Sequence, residues 1–284
     1  MLPRDDAQLL ALAGLDDPPP PEAGLFGADS WLRRVSAESV LLLGGGRALL
    51  LEVAHPLVAA GVAEHSRFRE DPLGRLQRTL DAMSTLAFRE RGVALEAARR
   101  VERAHLHVHG ELSRPAGRFA SGTPYDGRAP ELMRWVWATL LDTAFEVTSR
   151  FVAPLPPEAL ESYYADQRTL ARVLGIPDAL VPPDYAAFRD YFERMLAGDE
   201  LAVGDAAREI AAAVLDPPLR LPVTGLARLV TAGLLPARLR AAFGLAWDER
   251  QEARLAALCA SARALRASAP APGRDRLDAL RKAR

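Results

Sequence analysis

GVALEAARRVERAHLHVHG (92–110) decides the fold class, because its apolar residues repeat with the period of a helix. Ala94, Ala97, Ala98, Val101, Ala104 and Val108 form one stripe, and Glu96, Arg99, Arg100, Glu102 and Arg103 form a charged face. The spacing predicts a helix over 93–110. At about 100° per residue, His105 falls in the apolar stripe, His109 on its shoulder and His107 on the far side. All five histidines lie between His55 and His109, so the segment from Gly45 to Gly110 is where chemistry is expected.

The same periodicity runs outward in both directions. Helices are expected at 31–44, 46–66, 72–90, 93–110, 129–152, 157–174, 184–197, 203–215, 223–232, 236–243 and 248–268, with a short one near 274–282. Val, Ile and Thr are scarce beside Ala and Leu, and no strand-like alternation persists. The expected fold class is all-α, a single-domain bundle of many helices over 30–284. Residues 1–29, ending after the run Pro18–Pro21, are expected to form a flexible N-terminal arm. Asp71-Pro72 and Pro130 are helix starts. The stretch from Leu112 to Ala129, rich in Gly, Pro, Ser and Arg, is the one long loop expected inside the domain, and such loops are often functional.

Composition narrows the function. The 36 basic and 37 acidic residues leave a formal net charge of −1, which gives no reason to expect nucleic acid or an anionic membrane as partner. Cys259 is the single cysteine, which excludes an intrachain disulfide, a cysteine-built zinc site and a cysteine-ligated iron–sulfur cluster. The most apolar stretch, Val40 to Val62, is interrupted by Arg47, Glu52, His55, Pro56 and four glycines, so core helices are expected rather than a membrane span. No basic-then-apolar leader opens the chain, and a cytoplasmic location is expected. Gly44-Gly45-Gly46 is not followed by Lys-Ser/Thr, so it is read as a bend or a close helix approach rather than a phosphate loop.

Two residue patterns carry candidate chemistry, each with two readings. An inward His105 is either a hydrogen-bonded core histidine or an axial ligand to a buried metal or haem. His105 and His109, four apart, could grip zinc, but Leu106 stands where a helical zinc hydrolase carries its glutamate. Helix 72–90 has one stripe at Leu73, Leu76, Leu80 and Met83, and a second at Arg75, Thr79, Ala82 and Leu86. Arg75 and Thr79 then sit on a partly buried face, where an arginine needs an anionic or dipolar partner. A haem propionate or bound carboxylate would serve; so would Glu70 or Asp71 beside an ordinary surface arginine. Trp135 and Trp137 lie two apart and cannot share a helix face, so one is expected in the core and the other beside a pocket.

Four segments occur in order: LLEVAHPLVAAGVAEHSRFREDPLGRLQRT (50–79), RRVERAHLHVHGEL (99–112), TPYDGRAPELMRWVWATLLDT (123–143) and GLLPARLRAAFGLAW (233–247). Together they resemble the MpaB/rubber-oxygenase catalytic domain over about residues 30–284. The resemblance implies a helical bundle enclosing a buried haem pocket, a haem-dependent oxygenase with haem b (iron) as cofactor, and dioxygen and an apolar unsaturated, isoprenoid-like small molecule as partners. It places the proximal iron ligand at His105, with His109 in the basic position before Gly110. It places the family's Arg and Thr at Arg75 and Thr79 on the distal, catalytic side, where Arg78 anchors a propionate or gates entry. Glu52 or Glu64 could draw a proton from an allylic carbon; each has the ordinary reading of an ion-pair or helix-surface residue.

The sequence departs from the family pattern at three places. Arg78 stands where rubber oxygenases carry lysine, and arginine cannot lose its proton to ligate iron. Trp137 stands in place of a common histidine, and His109 in place of an arginine. These departures keep two alternatives open: a haem-binding sensor or carrier without turnover, and a haem-free lipid-binding helical protein.

Overall fold

The computed structural model describes residues 5–15, 17–66, 68, 72–215 and 224–268. The architecture is mainly α, as the periodicity requires. The order is α1 (Asp6–Ala13), α2 (Trp31–Ser36), a 3₁₀ turn (Ser39–Gly44), α3 (Gly45–Val53), α4 (Pro56–His65), α5 (Pro72–Phe88) and α6 (Arg91–His105). A two-stranded hairpin follows, β1 (His109–Glu111) and β2 (Pro124–Asp126). Then come α7 (Pro130–Phe151), α8 (Pro157–Val173), α9 (Tyr185–Ala197), α10 (Asp205–Leu215), α11 (Thr224–Leu234), α12 (Ala237–Ala242) and α13 (Glu249–Ser268). The helix expected at 274–282 lies outside the described residues.

Three local expectations change. The proposed flexible arm is helical over Asp6–Ala13: Asp5 and Gln8 form a reciprocal capping box, and Gly14 closes the helix in the left-handed region at φ 69°. Leu9 and Ala13 are fully buried in the main core, so this segment belongs to the packed body. The helix expected at 31–44 divides into α2 and a 3₁₀ turn. The helix expected at 46–66 is two helices, because Pro56 holds His55 in an extended conformation and has no N–H to continue the ladder. The freed Ala54 carbonyl accepts from Ala202 N at 2.8 Å. The 3₁₀ turn with α3 meets α4 at a bend of 110°, so the apolar stretch is not one straight helix. No single helix among the described residues is long and apolar enough to cross a membrane.

Helix α3 is the centre of the assembly, packed by α4, α7, α10 and α11. Every residue from Arg47 to Val53 is buried. Burying Arg47 demands a full set of acceptors. Its Nε donates to Leu234 O (2.7 Å), Nη1 to Thr143 Oγ1 (2.7 Å) and Nη2 to Asp142 Oδ2 (2.5 Å). The other oxygen of Asp142 accepts from Arg189, so one buried carboxylate joins α3, α7 and α9. Close approach of these helices depends on glycine. A Cβ on Gly46 would overlap Thr231 Oγ1, and one on Gly44 would lie 2.6 Å from Thr143 Cγ2. The glycine triplet therefore both opens α3 and lets α7 and α11 reach it.

Candidate functional site

An apolar cavity of about 210 Å³ opens where α3, α5, α7 and α8 converge. Helix α3 contributes Gly45, Gly46, Leu49 and Glu52; α5 contributes Thr79, Leu80 and Met83. Helices α7 and α8 contribute Trp137, Leu141, Thr143, Tyr163, Gln167 and Leu170. Positions 79, 80 and 83 share one helical face, so the two stripes read in the sequence of α5 merge here into one wall. Such a wall, apolar with a few polar groups, suits a hydrocarbon-rich ligand.

The two tryptophans divide as their spacing requires. Trp135 stacks on Phe192 and its Nε1 donates to Leu51 O at 3.1 Å. Trp137 lines the cavity, and its buried Nε1 has no hydrogen-bond partner among the described residues.

His105 is the last residue of α6. The helix does not continue to His109, because residues 109–111 pair antiparallel with 124–126 and Gly127 N donates to Val108 O at 2.6 Å. Val108 packs instead into a satellite cluster with Ala60, Leu112 and Tyr125. The hairpin thus breaks the expected His105/His109 helical pair, and His109 is exposed on β1. His105 is partly exposed, yet its Nδ1 is buried with no hydrogen-bond partner among the described residues. Burial lowers its pKa, opposed by the charge of Asp126, so the neutral imidazole is favoured. A neutral imidazole with an unused buried nitrogen has the donor chemistry of an iron ligand.

The remaining expected site residues are dispersed. Thr79 lines the apolar cavity; His105 lies on the adjoining helix α6 but is not on that wall. Arg78 is exposed on α5. The side chain of Arg75 lies outside the described residues, as does Asp71. The two candidate carboxylates separate: Glu52, buried, is on the cavity wall, whereas Glu64 accepts from Tyr125 Oη at 2.5 Å. His65 Nε2 lies 3.1 Å from the same hydroxyl. Burial and then the Glu64 contact push the Tyr125 hydroxyl well above the ordinary phenol range, so it stays protonated.

A family described as "ER-bound oxygenase mpaB/B'/Rubber oxygenase, catalytic domain" matches residues 32–264. The chain belongs to this family. Two uncharacterised mycobacterial proteins, from Mycobacterium bovis and Mycobacterium tuberculosis, are each 26% identical to it over 215 residues. In each case the match covers 72% of this chain and 81% of the relative. No solved structure matches. An oxygenase catalytic domain makes an oxidoreductase acting with oxygen on a small molecule the general expectation for members of the family.

Sequence reasoning missed two features. The Arg47–Asp142–Arg189 network was announced only by an arginine inside an apolar run. The second feature is a cavity of about 240 Å³ at the start of α7, more polar than the first and lined partly by the 112–129 segment. The stretch expected as a loop supplies Arg118 and Phe119 to the wall, and Tyr125 and Asp126 from β2, a strand that the sequence reading did not expect.

Proposed function

We propose that this chain is a haem b-dependent oxygenase that acts with dioxygen on an apolar, unsaturated, isoprenoid-like substrate, with His105 as the proximal iron ligand. The observation that carries the reading is the buried, unpartnered Nδ1 of His105 in a chain of the rubber-oxygenase family. A buried polar atom without a partner costs free energy unless something completes it, and a neutral imidazole suits iron. Haem supplies dioxygen binding and activation when it is bound. The chain's own residues do the rest. Leu49, Leu80, Met83 and Leu141 hold the hydrocarbon and exclude water. Thr79 adds a polar residue to the wall. Glu52, on the cavity wall, would be the carboxylate that accepts a proton from an allylic carbon.

The experiment is an absorption spectrum of protein purified from haem-supplemented cells beside His105→Ala, with oxygen uptake measured on an isoprenoid alkene. A Soret band that shifts or disappears in the variant, with substrate-dependent uptake in the parent, is expected. A colourless protein that takes up no added haem would overturn the reading. It would leave the second reading, a haem-free lipid-binding protein, which is favoured by His105 standing off the apolar cavity's wall.

A further inference from the structure

The cavity at the start of α7 shares no lining residue with the apolar one; of the residues discussed above, Tyr125, the partner of Glu64, lies on its wall. Its wall presents three hydrogen-bonding groups, His55, Arg134 and the start of α7, and Arg134 is also hydrogen-bonded to Tyr191. His55 is only 6% exposed, and its Nδ1 accepts from Leu57 N at 3.3 Å. That contact fixes the tautomer: the proton is on Nε2, which has no hydrogen-bond partner among the described residues. Burial, reinforced by Arg118, keeps the ring neutral, so Nε2–H remains a donor on a ring that lines the cavity.

Arg134 lies one turn into α7. Its guanidinium covers the Tyr191 ring at 4.3 Å and Nη1 donates to Leu180 O at 3.3 Å. Its Nε is buried without a partner, and no carboxylate pairs with it among the described residues. The third donor group is the N-terminus of α7, a 22-residue helix whose N-cap, Ala129, offers no side-chain cap. Pro130 has no N–H, so the free first-turn amides are those of Glu131 and Leu132, at the positive end of the helix dipole. Two of the three acidic residues on the wall are paired. Glu200 is held by Arg118 at 3.1 Å, Asp126 by Arg128 at 2.9 Å, and Glu131 stands on the exposed first turn. Leu57, Phe119, Leu132 and Met195 complete the wall with apolar surface.

We propose that this cavity is a second small-molecule site, which takes a monocarboxylate with a short hydrocarbon tail. The carboxylate sits between His55 Nε2–H, Arg134 and the first amides of α7, and the tail lies against Phe119 and Met195. The site is independent of the oxygenase reading and stands whether or not haem binds.

The test titrates hexanoate into the full chain labelled at its methionine methyls, with hexanol as the uncharged control. Met195 lines this cavity and Met83 the apolar one, so the two signals separate the sites. Saturable movement of Met195 by hexanoate and none by hexanol is expected. Arg134→Met, and His55→Asn (which keeps an N-cap acceptor), should each raise the hexanoate concentration needed by about tenfold or more, the loss expected of a charge-assisted or buried hydrogen bond. Movement of Met83 alone, equal response to hexanol, no saturation, or unchanged affinity in Arg134→Met would each overturn the proposal.

Discussion

Replacing Asp142 with asparagine should be among the most damaging single substitutions that leave shape unchanged. Asp142 is 1% exposed and Arg47 2%, and the carboxylate meets Arg47 on one oxygen and Arg189 on the other. Asparagine preserves volume and one acceptor, so the loss is the charge that lets Arg47 remain dry. Removing one partner of a buried pair costs about 3–5 kcal/mol. Arg47 retains its bonds to Leu234 O and Thr143 Oγ1, which places the expected loss near the lower end, about 3 kcal/mol. Total stabilities are about 5–15 kcal/mol, so this is a large fraction. In urea, with a slope of about 3 kcal/mol per molar, the midpoint should fall by about 1 M. The control is Glu146→Gln, which breaks the exposed Arg150–Glu146 pair four residues apart on the same helix. That change should cost about 0.5 kcal/mol or less. Equal shifts in the two variants would refute the idea that a dry ion network clamps α3 to α7 and α9.

Two further outcomes are expected. The His55 pKa is lowered from 6.5 to about 4, by burial first and by Arg118 second. The unfolded chain therefore binds a proton that the native protein refuses between those values. Stability contributed here is full above about pH 6.5 and falls by about 1.4 kcal/mol per pH unit toward pH 4. Chemical unfolding at a series of pH values should show a shallower acid loss in His55→Asn; parallel curves would count against a buried neutral His55. Gly46→Ala should destabilise by about 1–3 kcal/mol, because the added methyl meets Thr231, itself 1% exposed on α11. Adding Thr231→Ala should recover part of that loss in thermal unfolding, and additive losses would show that the two positions do not touch.

Much of this protein was legible because helical periodicity is local. Pro130, the 157–174 stripe and the run after Glu249 gave helices within a residue or two of those observed. The reading failed where a tertiary contact overrode a repeat. The stripe through Val108 looked continuous, but Val108 and residues 109–111 are taken by the hairpin with 124–126, a pairing across the intervening loop. Pro56 was read inside one helix over 46–66, and the bend there also rests on Ala202 capturing the Ala54 carbonyl from far along the chain. Asp5 and Gln8 carried a capping box that the proline run beyond them obscured.

The candidate site divides along the same line. The sequence by itself determined the helical class, the family, the singling out of His105 and the separate fates of Trp135 and Trp137, since these depend on spacing within one element or on motif order. Only the tertiary structure decided that Thr79 and Glu52 share a cavity wall while Glu64 belongs to Tyr125. It alone joined Arg47 to Asp142 and gathered His55 with Arg134. Those juxtapositions bring together residues from separate elements, and the crossing of helices, not any one helix's periodicity, sets which side chains meet.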